Sequence, residues 1–114
     1  MDDRDDKFEQ QFKKGALEMV LLALIARRRT YGYEIIQQLG KIGAPLFSST
    51  REGTLYPLLY RLEDAGLVAG ELEATPGGRA KKYYRITEAG RAALKRRRAF
   101  WLMYKGCIDS ILEG

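Results

Sequence analysis

Apolar residues along this 114-residue chain fall into blocks whose spacing changes character from one end to the other. Phe8, Phe12, Ala16, Met19, Val20 and Ala23 recur at the interval of a helix face, while Leu17, Leu21, Leu22, Leu24 and Ile25 make the second half of that segment apolar nearly all round. A helix greasy on both sides needs two neighbours to bury against. In so short a chain one of them is expected to be another subunit, which makes Leu17 and Leu21 candidate interface residues. Residues 1–7, MDDRDDK, carry no apolar anchor and are expected to be disordered.

The segment YGYEIIQQLGKI carries Tyr33, Ile35, Ile36, Leu39 and Ile42 as a short amphipathic helix, closed by Gly40, Gly43 and Pro45. After the loop PLFSST, Ser49 and Glu52 have the spacing of a capping box, in which each side chain satisfies an orphan N–H; this predicts a third helix from near Arg51. Within it Leu55, Leu58, Leu59 and Leu62 share one face. Gly53, Tyr56, Pro57 and Tyr60 point the opposite way, flanked by Thr54 and Arg61. Gly66 ends this helix, and LVAGELEA, TPGG and RAKKYYRI then read as strand, tight turn and strand. Thr87 followed by Glu88 is an N-cap with a favourable first-turn charge, so a last helix is predicted from there to Leu112, about 37 Å long.

The order helix, helix, helix, hairpin, long helix defines a mainly α fold with a small β-hairpin. It is that of a winged helix-turn-helix over residues 8–87 with a C-terminal dimerisation helix over 88–114.

Charge narrows the partner. Lys and Arg number 20 against 15 Asp and Glu, a net charge of +5, and the excess lies in the second half: four basic residues between Arg79 and Arg85, five between Arg91 and Arg98. There is no histidine and one cysteine, Cys107, so Cys/His metal clusters, histidine-based triads and disulfide frameworks are out of reach. Cys107 is expected to be a small buried apolar residue. The close carboxylate pairs, Glu71 with Glu73 and Glu63 with Asp64, read as solvated charges rather than acid–base machinery. No catalytic residue, metal or cofactor is expected. With no apolar run long enough for a membrane span and no basic-then-apolar leader, a cytoplasmic location is expected.

In a helix-turn-helix the second helix enters the major groove and the first braces it. The candidate DNA-binding residues are accordingly Ser49, Arg51, Thr54, Tyr56, Pro57, Tyr60 and Arg61 around the third helix, with Arg79, Lys81 and Lys82 on the hairpin as phosphate contacts. The competing reading for Tyr56 or Tyr60 is packing against the wing. Arg27 to Arg29 read as compensation of a helix C-terminus, and Arg96 to Arg98 as a solvated face.

Trp101, Tyr104, Ile108 and Ile111 repeat at helix-packing intervals, widened by Phe100, Cys107 and Leu112, and argue for a homodimer. Two recognition helices would then meet successive major grooves about 34 Å apart. Trp101 has two readings, plain interface packing and a pair that stacks a planar aromatic ligand near the dimer axis.

The blocks YGYEI at Tyr31 to Ile35, GTLYPLLYRLEDAGLV at Gly53 to Val68 and KKYYRITEAG at Lys81 to Gly90 resemble the PadR family of bacterial transcriptional regulators, in order and spacing, over nearly the whole chain from Lys14. The resemblance implies a winged helix-turn-helix dimer that binds a palindromic operator in double-stranded DNA, usually represses, and lets go on an effector or stress signal. The single C-terminal helix is similar to the compact subfamily, in some members of which a tryptophan on the last helix lines a pore for flat aromatic drugs; Trp101 has the corresponding place. The acidic start DDRDD departs from the family and speaks against DNA contact by the extreme N-terminus. The alternative is a winged-helix protein-interaction module without DNA binding. Charge reversal at Thr54, Tyr56, Lys81 or Lys82 would signal it, and none is seen.

Overall fold

The computed structural model describes residues 3–114, with side chains from Lys7 onward. Helix α1 spans Asp3–Arg27, strand β1 Thr30–Tyr31, α2 Gly32–Lys41, α3 Glu52–Asp64, β2 Val68–Glu73, β3 Lys81–Ile86 and α4 Glu88–Glu113. The three strands form one antiparallel sheet in the order β1-β3-β2.

α1 begins at Asp3, five residues ahead of the Phe8 at which the apolar pattern starts; Met1 and Asp2 lie outside the described residues. From its middle, α1 lends Leu17, Leu21, Leu22 and Ile25 to the core. They meet Ile35 and Leu39 of α2, Leu55, Leu59 and Leu62 of α3, Val68 of β2, Tyr84 of β3 and Ala93 of α4. Each large aliphatic buried this completely contributes about 1.5–3 kcal/mol.

Leu17 and Leu21 are 6% and 0% exposed within the single chain. They were expected at a subunit interface, and this is corrected: the second neighbour that the greasy half of α1 requires is supplied by α2, α3 and α4 of the same chain. What α1 leaves open lies nearer its start, where Phe8 and Phe12 are exposed with ring centroids 5.6 Å apart.

α3 starts where the sequence places it, but without the capping box. Arg51 is the N-cap and no side chain caps it. Glu52 is the first residue of the helix rather than the third, so it cannot reach back in the manner the box requires. The other end of α3 is closed by a Schellman motif. Gly66 N–H donates to Glu63 O (2.9 Å) and Leu67 N–H to Leu62 O (3.0 Å), with Gly66 at φ 75°, a left-handed value that suits glycine.

β2 and β3 pair from Val68 opposite Ile86 to Glu73 opposite Lys81. At the tip, Thr75 Oγ1 donates to Arg79 O (2.6 Å) and Gly78 takes φ 101°. Thr87 then caps α4 as its sequence predicts: its hydroxyl accepts from Gly90 N–H at 3.0 Å and donates back to Gly66 O at 2.7 Å, pinning the start of α4 to the end of α3. The radius of gyration is 16.0 Å, against about 13 Å for a compact domain of this length. Two stretches run clear of the core, the second half of α4 and residues 7–12 of α1.

Candidate nucleic-acid interface

Three elements build the surface that the sequence assigns to DNA: the start and outer face of α3, the α2–α3 loop, and the wing formed by β2 and β3. Leu55, Leu59 and Leu62 anchor α3 from below, which turns Thr54, Pro57, Tyr60 and Arg61 outward, all exposed. Ser49 and Arg51 are exposed on the loop that leads into α3. With no side-chain cap, the first N–H groups of α3 remain available to an outside acceptor.

Tyr56 departs from this outward set. It is half-buried, and a Cβ at Gly32 would collide with its hydroxyl, so the ring lies over the first residue of α2. The competing reading, packing, is thus what the structure displays for Tyr56, against α2 rather than the wing. Its ring centroid is 6.3 Å from that of Tyr60, and burial, followed by Glu52 and Tyr60, raises the pKa of its hydroxyl.

The basic residues of the wing divide by the alternation of β3. Lys81 and Tyr83 face one way: Lys81 Nζ stands 4.3 Å from the centroid of Tyr31, and Arg29 stacks 4.0 Å over Tyr83. Lys82 belongs to the other face with Tyr84 and is paired with Glu63 of α3 at 2.8 Å. Arg79 is exposed at the tip, and neither it nor Arg51 has an ion pair among the described residues.

Two other charged residues that hold the site together were missed in the sequence. Arg29, read there only as a helix-end charge, bridges to Glu73 (3.0 Å) and Glu71 (3.6 Å), tying the end of α1 to the wing. The cue it lacked was β1, whose two residues bring Tyr31 opposite Tyr83 but are too few to show alternation. Glu18 of α1 joins Arg61 of α3 (3.4 Å) to Arg97 of α4 (3.1 Å), so Arg61 is shared between solvent and an ion pair.

On α4, Phe100, Trp101, Tyr104, Ile111 and Leu112 are exposed and Ile108 is half-buried, with the Phe100 and Tyr104 rings 5.7 Å apart. Cys107 is exposed as well, which corrects the expectation of a buried thiol: it lies beyond the part of α4 that reaches the core. No helix among the described residues is long and apolar enough to cross a membrane.

A brace helix, a helix with a polar and aromatic outer face, and a basic hairpin beside it define a winged helix-turn-helix protein. Residues 21–96 match the transcriptional regulator PadR-like family. The chain is 38% identical over 85 residues to a transcriptional regulator of Mycobacterium tuberculosis, covering 75% of each chain. Among solved structures it is similar to a PadR family transcriptional regulator from Eggerthella lenta (TM-score 0.86, 32% identity, 97% of this chain and 94% of that one). It is also similar to a PadR-like regulator from Bacillus cereus (TM-score 0.78, 36% identity, 91% and 98% covered). The chain belongs to the PadR-like family of transcriptional regulators.

Proposed function

We propose that this regulator binds a palindromic operator in double-stranded DNA as a homodimer and represses transcription, with α3 in the major groove and the wing on the adjacent backbone. The observation that carries the reading is the seam between α3 and the wing. Lys82 Nζ of β3 is 5.5 Å from the ring of Tyr60, so the outer face of α3 and the basic hairpin form one continuous surface. Thr54 and Pro57 offer a hydroxyl and an apolar face to base edges. Ser49, Arg51, Tyr60, Arg61 and the uncapped start of α3 offer donors to phosphates, as do Arg79 and Lys81 from the wing.

The stripe of Phe100, Trp101, Tyr104, Ile108, Ile111 and Leu112, exposed except for the half-buried Ile108, is the proposed dimer face, joined by Phe8 and Phe12 in place of Leu17 and Leu21. A planar aromatic effector would act there by stacking on Trp101 and changing the separation of the two recognition helices.

The test is selection of genomic fragments on the full chain, followed by fluorescence anisotropy across a salt series. Enrichment of a two-fold symmetric site, with affinity falling steeply as salt rises, is expected. Absence of binding above a neutral control would point instead to a protein-interaction role. Because Trp101 is the only tryptophan, quenching of its fluorescence by planar aromatic dyes reads the effector site directly.

A further inference from the structure

Successive residues of a strand face opposite ways, so Lys82 falls in register with Tyr84 and Ile86, the two side chains that β3 turns toward the core. It is the outermost member of an inward-facing row. Its ammonium donates to Glu63 Oε1 at 2.8 Å and lies 5.4 Å from the ring of Tyr84 and 5.5 Å from that of Tyr60. The pair lies over Gly70 of β2, close enough that a Cβ there would meet both Lys82 Cε and Glu63 Oε2 and oblige those side-chain ends to shift. The hydrogen bond to Glu63 raises the pKa of Lys82, so its ammonium stays charged through the neutral range.

A lysine held this way has little to gain by leaving for DNA, since it would exchange one ion pair for another and strand a carboxylate beside the phosphates. Arg79 and Lys81 have no such tie to α3. We infer that Lys82 is a wing-positioning residue rather than a phosphate contact: its ion pair with Glu63, between Tyr60 and Tyr84, sets the wing against the recognition helix. The phosphate contacts of the wing then fall to Arg79 and Lys81. The inference rests on the DNA-binding reading above.

Salt dependence separates the two roles, because each phosphate contact adds about 0.9 to the slope of log affinity against log salt, whereas a lysine neutralised by its own carboxylate adds nothing. The experiment is anisotropy on the selected operator with the full chain and the variants Lys82→Met, Glu63→Gln, their combination and Lys82→Arg, each with a thermal melt.

Both single substitutions are expected to weaken binding roughly tenfold with the slope unchanged, and the combination to be no worse than either alone. Lys82→Arg, which keeps the donor, is expected to stay within about threefold of the parent. Tighter binding by Glu63→Gln, or a slope reduced by about 0.9 in Lys82→Met, would mean that a released Lys82 reaches phosphate and would overturn the assignment. Should Lys82→Met fail to fold, the sign of the Glu63→Gln effect decides alone. Failure of the unaltered chain to bind any fragment would remove the DNA reading and this assignment together; tighter binding by Glu63→Gln removes only the assignment.

Discussion

Tyr84 carries a hydroxyl into a core otherwise made of aliphatic side chains, and no described residue is within hydrogen-bonding reach of it. A buried polar group without a partner costs about 1–3 kcal/mol, so Tyr84→Phe is expected to keep or raise the thermal midpoint. Burial is the main cause of the raised pKa of this hydroxyl; Glu63, Tyr60 and Tyr56 add to it and Lys82 opposes it. A folded pKa above the unfolded value of about 10 gives stability that is complete below that pH and lost as pH climbs through the folded value. Tyr84→Phe is therefore also expected to make the fall of the urea midpoint above pH 10 shallower. An unchanged alkaline slope would assign that loss to Lys82 or Tyr56, whose pKa values are raised too. Gly90 is the opposite kind of position, fixed by space rather than by chemistry. A Cβ there would strike the Leu67 carbonyl and the Ile86 side chain, and a backbone oxygen cannot swing aside. Gly90→Ala is expected to destabilise by about 1–3 kcal/mol, read as a lower thermal midpoint. Gly40→Ala, on open surface of α2, is expected to be neutral or mildly stabilising.

At the level of elements, Thr87 does most to join one to the next, since its hydroxyl serves both the first turn of α4 and the last carbonyls around Gly66. Thr87→Ala is expected to lower stability by about 1 kcal/mol, while Thr87→Ser restores most of it. That cap was legible because Thr followed by Glu is a local signal, and the hairpin and the four helices were legible because period and turn chemistry are local too. Three features were not, and each failure has a physical cause. β1 is two residues long, so no alternation exists to read. The Ser49–Glu52 spacing matches a capping box, but where the helix begins depends on how the α2–α3 loop packs, and that moved the N-cap to Arg51. Tyr56 lies on the outward arc of α3, yet Gly32 leaves a space that admits its ring, a pairing of distant residues that helix geometry alone does not reveal. Lys82 differs from these, because the alternation of β3 already placed it with Tyr84, and its charge obscured that cue.

The whole molecule extends 58 × 34 × 22 Å, and its long dimension is not maintained by its own core. The second half of α4 presents Phe100, Leu102, Met103, Ile111 and Leu112 at more than half exposure, a density of large apolar side chains that a second copy would cover. The expected consequence is a coupling between assembly and DNA binding. Ile111→Asp with Leu112→Asp places charge in that face without touching the core, so far-UV circular dichroism is expected to be unchanged while sedimentation velocity shifts from dimer to monomer. A monomer engages one half-site, and without the tethered second half it forfeits an affinity gain of about 10²–10⁴-fold on a palindrome, though binding to an isolated half-site is expected to be unaffected. A variant that remains a dimer would locate the interface at Phe8 and Phe12 instead, to be read from Phe8→Ser with Phe12→Ser in the same sedimentation experiment. A variant that becomes monomeric yet binds the full palindrome as tightly as the parent would separate dimerisation from recognition and leave each recognition helix acting alone.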